Sequence, residues 1–282
     1  MQIMPPRFET IMLEDIPYRT IQGITLVLDI VRPEPLPSAP MPVVLYLFGS
    51  GWAEPRRRDM EQNPAEFLAA TTGICVITIE YRLSDQATFP AQIADVRAAV
   101  RWIREHAADY HLNPERIGAW GFSAGGYLAT LLGITPDVDA FDDGETPAPY
   151  SCAVQAVFTQ SNANDFATLG TWHDDPDSAE ARLMGGPVQE NPELVRRANP
   201  ITYLNLHNHI PPFHLMHGDK DDIVVIQQSQ LLYNSLIEAG GVATFLKIPG
   251  AGHYMGRSTP YWETVTQAAS GFFRRYLHID GV

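Results

Sequence analysis

Residues 117–126 read IGAWGFSAGG, and this composition is typical of a strand that turns sharply into a helix. Its centre, GFSAG at 121–125, matches the pattern G-x-S-x-G. A serine at the tip of such a turn has a strained backbone, so the residues two positions away on either side must lack bulk, and both are glycine. A helical pattern, YLATLLG, follows at 127–133. The stretch predicts a nucleophilic serine, Ser123; the alternative is a glycine-rich turn that contains serine by chance.

Apolar runs and helical patterns alternate along the rest of the chain. Short apolar runs bounded by glycine or proline are typical of strands buried on both faces of a parallel sheet. Four such runs cover 43–48, 74–79, 153–158 and 213–216. A single apolar helical stripe is formed by Ile93, Val96, Val100 and Ile103. Strands that alternate with helices predict an α/β fold whose mostly parallel sheet is covered on both faces.

The length of 282 residues is compatible with one α/β domain spanning 1–282. Residues 160–211 are polar and irregular, with one short helical pattern at 178–184, and they lack the length of a separate domain. We therefore expect them to form a lid-like excursion beside the active site.

The charge balance restricts the partners of the protein. Lys and Arg total 19 against 33 Asp and Glu, which gives a net charge of −14. Such a surface repels phosphate backbones and anionic headgroups, so we expect neither nucleic acid nor a membrane as partner. No signal-peptide pattern or membrane-spanning run is present, and we expect a cytoplasmic protein, with secretion after removal of a leader as the alternative. A homodimer is compatible with the sequence.

A serine hydroxyl needs a base to take its proton, and in this kind of fold the chain order is Ser, then Asp or Glu, then His. Downstream of the serine, 212–225 reads PFHLMHGDKDDIVV and 248–256 reads IPGAGHYMG. Of nine histidines, only His253 combines this order with a glycine-rich loop, so it is the predicted base. Three acids compete to orient it, namely Asp219, Asp221 and Asp222.

The other histidines have less demanding interpretations. His214 and His217 lie on or after a strand, where we expect structural roles. His207 and His209 form an H-x-H pair, but no third ligand has a convincing spacing, so we expect no metal and no cofactor. For the oxyanion, one amide should come from Ala124 and another from the loop GSGW at 49–52, which follows an apolar strand.

These motifs together resemble the HGGGW-type carboxylesterases of the α/β-hydrolase superfamily, near the branch of acetyl-xylan and feruloyl esterase-like and kynurenine formamidase-like proteins. The similar segments are YLFGSGW at 46–52, EYRLSDQATFPAQIADVRAAVRWIREHA at 80–107, RIGAWGFSAGGYLA at 116–129, and HGDKDDIVV with GAGH. The resemblance implies an α/β-hydrolase fold with a mostly parallel eight-stranded sheet and helices on both faces.

The resemblance also assigns roles to individual residues. It implies Ser123 as nucleophile, His253 as base, and Asp221 as acid, since the pattern HG-x-x-D-x-x-V then ends on Val224. The implied oxyanion donors are Ser50, Gly51 and Ala124. The family's His and middle Gly are replaced here by Phe48 and Ser50. This loop must therefore be held by other contacts than in the family.

The implied reaction is hydrolysis of small or short-acyl carboxylic esters through an acyl-enzyme, with acetyl or feruloyl esters of plant polysaccharide as candidates. The alternatives are an aryl formamidase and a non-catalytic ligand-binding homologue. From their proximity to the motifs, we expect four aromatic residues to bind substrate: Trp52, Phe122, Phe166 and Trp172. The basic run 56–58 has two interpretations, a solvated loop or a group that recognises an anionic or sugar-linked substrate.

Overall fold

The computed structural model describes residues 6–59, 61–144, 149–204 and 210–277, without the side chains of residues 171 and 172. One eight-stranded sheet has the order β1-β2-β4-β3-β5-β6-β7-β8. Its strands are β1 Glu9–Ile21, β2 Ile24–Glu34, β3 Met41–Leu47, β4 Cys75–Ile79, β5 Leu112–Phe122, β6 Ala156–Gln160, β7 Phe213–Gly218 and β8 Ala243–Ile248. The pairs β1–β2 and β2–β4 are antiparallel, and the remaining pairs are parallel. The prediction of a mostly parallel eight-stranded sheet is confirmed.

Seven α-helices accompany the sheet in the described part of the chain. They are α1 Ala65–Thr72, α2 Ala91–Glu105, α3 Ala124–Ile134, α4 Ala179–Met184, α5 Pro192–Ala198, α6 Gln227–Glu238 and α7 Trp262–Tyr276. None of these helices has the length and hydropathy needed to cross a bilayer. The predicted stripe of α2 is fully buried: Ile93, Val96, Val100 and Ile103 are each 0% exposed.

The central strands are continuously apolar because both of their faces are covered. Every residue of β4 and of β6 is buried, and β3 has one partly exposed residue, Pro42. Burial on both faces removes the need for alternating polar positions, which is why these strands were recognisable as short apolar runs. The carboxyl ends of β5, β7 and β8 lie at one edge of the sheet because these strands run parallel.

The segment between β6 and β7, where the excursion at 160–211 is predicted, has little regular structure. It contains the short helices α4 and α5 and a series of one-turn 3₁₀ segments. The helical pattern at 178–184 corresponds to α4, whose N-cap Ser178 accepts a hydrogen bond from the Ala181 amide. Residues 205–209, which include His207 and His209, lie outside the described residues.

Candidate active site

Ser123 lies at the turn between β5 and α3, with φ 52° and ψ −121°. A positive φ is unfavourable for serine, so the surrounding structure must hold this conformation. A side chain at Gly121 would collide with the carbonyl oxygen of Gly125, and one at Gly125 would collide with the carbonyl oxygen of Leu47. Both glycines are therefore required by the close approach of backbone to backbone at this turn.

The three residues predicted to act together are brought into contact. The Ser123 Oγ lies 3.0 Å from the His253 Nε2, and the His253 Nδ1 lies 2.8 Å from the Asp221 Oδ2. Asp221 is in the loop after β7 and His253 in the loop after β8. Because the parallel strands end at one edge of the sheet, residues 130 positions apart in the chain meet there.

Of the three competing acids, Asp221 is the one that reaches the imidazole. Asp219 instead accepts a hydrogen bond from the Gly250 amide at 2.8 Å, and Asp222 is exposed. The sequence could not choose among these three acids, because the choice depends on which side chain of a single turn points toward His253.

Four donors surround the buried carboxylate of Asp221. Its Oδ1 accepts from the amides of Ile223 at 3.0 Å and Val224 at 2.9 Å. Its Oδ2 contacts the His253 Nδ1 and, at 3.0 Å, the His217 Nε2. Burial alone would raise the pKa of Asp221, but the donors from His217 and His253 outweigh it and hold that pKa well below its usual range.

The loop between β3 and α1 presents backbone amides to the same site. Positive φ angles occur at Gly51 (59°) and Trp52 (56°), and Ser50 is not among the residues with a positive φ. Ser50, which stands where the HGGGW pattern has its middle glycine, therefore causes no backbone strain of this kind. Its Oγ donates to the Glu54 carbonyl at 2.7 Å, so this hydroxyl stabilises the turn.

Phe48, at the first position of this loop, is held by contacts with Tyr81. Its ring stacks on Tyr81 with centroids 4.6 Å apart, and the Tyr81 hydroxyl donates to the Phe48 carbonyl at 3.0 Å. Among the described residues, the amides of Ser50, Gly51 and Ala124 have no protein acceptor. All three residues line the cavity beside Ser123, so these amides are placed to receive a substrate oxygen.

The basic run 56–58 is partly solvated, because Arg56 and Arg58 are exposed and only Arg57 is buried. The buried Asp29 on β2 accepts from Arg58 Nε and Nη2, both at 2.8 Å, and lies 3.2 Å from Arg57 Nε. Arg57 is only 7% exposed. Arg56 does line the cavity, but Glu54 and Asp59 bind its guanidinium. Two of the three arginines thus connect the loop between β3 and α1 to strand β2.

A cavity of about 660 Å³ opens above Ser123. Trp52 and Phe122 line this cavity, but Phe166 does not. Phe166 is 1% exposed and packs against Trp52 and Tyr127, with ring centroids 5.9 and 5.0 Å away. The expectation for Phe166 is corrected because its ring lies in the core behind Trp52. The side chain of Trp172 lies outside the described residues.

Sequence reasoning missed most of the polar lining of this cavity. The residues concerned come from three segments of the chain and are Glu54, Asp59, Glu61, Gln62, His173, Glu180 and Tyr254. Their positions follow from how loops far apart in sequence pack together, and no spacing rule connects them. In the described part of the chain, no group of three or more His, Cys, Asp or Glu side chains is arranged to hold a metal ion.

His173 and Glu180 form a buried pair on the excursion side of the cavity. The His173 Nδ1 lies 2.9 Å from the Glu180 Oε2, and its Nε2 lies 3.0 Å from the Ile223 carbonyl oxygen. The side chains are 2% and 6% exposed. Burial opposes protonation of His173, but the Glu180 carboxylate outweighs it, so the pKa of His173 is raised. A protonated ring can donate to both partners and so ties the excursion to the loop that carries Asp221.

We expect this pair to stabilise the protein at low pH and to lose its effect as the pH rises. A folded-state pKa above the unfolded value gives stability that is complete below the unfolded value, about 6.5, and that disappears as the pH passes the folded value. Urea unfolding of a His173→Gln variant should show a loss of about 2 kcal/mol relative to wild type at pH 6 and a smaller loss at pH 9. A loss that grows with pH would contradict this assignment.

Comparison with known families gives a match over most of the chain. The family model BD-FAE matches residues 28–236. The esterase LipQ of Mycobacterium tuberculosis (strain ATCC 25618 / H37Rv) is 32% identical over 272 residues, which cover 95% of this chain and 63% of LipQ. The chain thus spans less than two thirds of the length of this curated relative.

Solved structures with the same fold include proteins described as carbohydrate esterases. A truncated carbohydrate esterase from gut microbiota is 27% identical, with a TM-score of 0.77 over 96% of this chain and 97% of that one. The bifunctional GH43-CE protein of Bacteroides eggerthii is 32% identical, with a TM-score of 0.80 over 94% of this chain and 38% of that one. These matches agree with the α/β-hydrolase fold of the eight-stranded sheet.

Proposed function

Because the chain belongs to the BD-FAE family, we propose that it is a serine carboxylesterase that cleaves small or short-acyl carboxylic esters. The observation that carries the proposal is the contact chain from the Ser123 Oγ through the His253 ring to the Asp221 carboxylate. The esterase relatives support it, and FGSGW at 48–52 is a variant of the HGGGW loop in this proposal.

In the first half of the reaction, the hydroxyl of Ser123 attacks the ester carbonyl carbon while its proton passes to the His253 Nε2. The His253 Nδ1–H donates to Asp221, so Nε2 is the nitrogen free to accept this proton. The amides of Ala124 and of Ser50 or Gly51 receive the negative charge on the former carbonyl oxygen. The intermediate then collapses, and His253 returns the proton to the departing alcohol.

In the second half, a water molecule attacks the acyl-enzyme. His253 takes a proton from this water, a second tetrahedral oxyanion forms in the same amide site, and the Ser123 oxygen leaves and regains its proton. The carboxylic acid is released and the enzyme is restored. Each amide donor contributes about 10²–10³ to the rate of such reactions.

The cavity is suited to an alcohol that carries hydroxyl groups. Phe122 and Tyr254 offer aromatic surface near Ser123, and Glu54, Glu61 and Gln62 offer oxygen acceptors at the side. We therefore place acetyl or feruloyl esters of plant polysaccharide within the proposed substrate class. The volume of the cavity, about 660 Å³, is in the usual range for small-molecule sites, about 300–1,000 Å³.

A substrate panel tests this proposal. Hydrolysis rates should be measured with p-nitrophenyl acetate, p-nitrophenyl octanoate, acetylated xylan, a methyl ferulate ester and N-formylaniline. We expect kcat/KM to be higher for p-nitrophenyl acetate than for p-nitrophenyl octanoate. We also expect it to be higher for the esters than for N-formylaniline. Preferential cleavage of N-formylaniline would replace the proposed esterase with an aryl formamidase, and no turnover of any compound would favour a binding protein.

We expect the rate to fall on the acid side of neutrality. A protonated imidazole cannot accept the hydroxyl proton, so kcat/KM for p-nitrophenyl acetate should decline below about pH 6. Asp221 remains ionised throughout this range because its pKa lies well below its usual value, so it does not contribute to the decline. A rate that is flat from about pH 5 to 8 would argue against a histidine base.

A further inference from the structure

A second histidine contacts the same carboxylate oxygen as the proposed base. The His217 Nε2 lies 3.0 Å from the Asp221 Oδ2, and both side chains are 0% exposed. The same nitrogen lies 2.8 Å from the Val224 carbonyl oxygen, and the His217 Nδ1 lies 2.7 Å from the Ser229 Oγ on α6. His217 therefore connects β7, the loop that carries Asp221, and the first turn of α6.

The partners of His217 determine which ring nitrogen carries hydrogen. An ionised carboxylate and a backbone carbonyl can only accept, so the Nε2 that faces both must be the donor. In the neutral ring, Nδ1 is then an acceptor, and the Ser229 hydroxyl donates to it. The alternative tautomer would direct a lone pair at two oxygens in a site without solvent.

We propose that His217 is a positioning residue for the reaction. It holds the Asp221 Oδ2 in place, and the negative charge of this oxygen interacts with both His217 and His253. The inference rests on the proposed esterase function. The amides of Ile223 and Val224 fix Oδ1, whereas Oδ2 is in contact with the two histidine rings. His217 thus restrains the carboxylate oxygen that orients the base.

Loss of His217 should have two separable effects. Asp221 would be less well fixed, so His253 would spend less time in the orientation that accepts the Ser123 proton. The full charge of Oδ2 would also act on His253 and favour its protonated form, so the enzyme would need a higher pH to reach its maximal rate. The first effect lowers kcat, and the second moves the acid limb of the pH profile.

Substitution of residue 217 leaves the other ionisable side chains around the site unchanged in identity. Those lining the cavity are Glu54, Arg56, Asp59, Glu61, His173, Glu180 and Tyr254, and those in the loop that carries Asp221 are Asp219, Lys220 and Asp222. None of them is altered when residue 217 is substituted. A shift of the acid limb can therefore be attributed to the Asp221–His253 pair.

The experiment compares three variants by kcat, KM and the pH dependence of kcat/KM for p-nitrophenyl acetate. His217→Leu removes the donor, and His217→Gln keeps an N–H group near the position of Nε2. His214→Leu is the matched control because this histidine lies on the same strand, stacks on Phe158 and bonds to the Thr244 hydroxyl. Active sites are counted with a fluorophosphonate probe so that kcat refers to folded enzyme.

For His217→Leu we expect kcat to fall by about 10–100-fold, KM to stay within about threefold, and the acid limb to move up by about half a pH unit. His217→Gln should restore most of kcat and most of the wild-type position of the acid limb. His214→Leu should match wild type in both quantities. Wild-type values for His217→Leu, or equal losses in both leucine variants, would overturn the inference. Absence of turnover and of probe labelling in wild type would instead refute the proposed function.

A measurement on the unmodified enzyme covers the case in which His217→Leu does not fold. Nitrogen-15 NMR of histidine-labelled protein at pH 8 reports which ring nitrogen carries hydrogen. The signals of His217 are those absent from the spectrum of the His217→Gln variant. We expect them to show hydrogen on Nε2 alone. Protonation on Nδ1 alone would overturn the inference, because Nε2 could then not donate to Asp221.

Discussion

Replacing Ser123 by alanine is expected to lower kcat for p-nitrophenyl acetate by about 10⁵–10⁶-fold while the protein stays folded. The hydroxyl oxygen is the atom that forms the acyl-enzyme, and the amides around the site cannot substitute for it. The remaining rate would come from binding and from oxyanion stabilisation alone. Stopped assays measure the loss of kcat, and thermal unfolding curves verify that the variant is folded.

A second strained serine provides the control for this substitution. Ser161 follows β6, has φ 50°, is fully buried, and its hydroxyl has no hydrogen-bond partner among the described residues. Ser161→Ala thus makes the same chemical change at a serine with a similar φ angle, directly after the neighbouring strand. It should retain kcat within a few-fold. Comparable activity in both alanine variants would mean that Ser123 is not the nucleophile.

Replacing Asp221 by asparagine is expected to lower kcat by about 10⁴-fold with little change in KM. An amide nitrogen placed toward the His253 Nδ1 would force that nitrogen to become an acceptor. The proton would then sit on Nε2, which lies 3.0 Å from the Ser123 Oγ and could no longer accept from it. Steady-state kinetics at pH 8 measure the loss.

The adjacent acid is the matched control for Asp221. Asp222→Asn makes the same change at an exposed position one residue away, and it should leave kcat within about twofold. A 10⁴-fold loss in Asp222→Asn together with a mild effect in Asp221→Asn would show that another carboxylate orients the base during turnover.

The fold and the contact triad were accessible from the sequence because each depends on local patterns in fixed order. The central strands are apolar throughout, and the elbow at 121–125 needs two glycines whatever surrounds it. Strand β1 was not recognised. It is an edge strand that contains Pro17 and charged residues and is largely solvent-exposed, so neither a buried run nor a clean alternation marks it.

The walls of the cavity were less predictable because they depend on packing between distant segments. Phe166 was expected at the substrate but packs behind Trp52, since proximity to a motif does not tell which way a ring points. Arg57 and Arg58 were expected in solvent or at a ligand. Arg58 is exposed, but both arginines pair with Asp29, 28 and 29 residues earlier in the chain. Long-range ion pairs of this kind leave no spacing signal in one sequence.

Covalent labelling with a fluorophosphonate shows whether His253 activates the Ser123 hydroxyl. The enzyme is incubated with a fluorophosphonate at pH 8, digested and analysed by mass spectrometry, with the His253→Ala variant in parallel. We expect one phosphonyl adduct per chain, on the peptide containing Ser123, formed at least about 100-fold more slowly in His253→Ala. An adduct on another residue, or equal labelling rates in both proteins, would contradict the activation of Ser123 by His253.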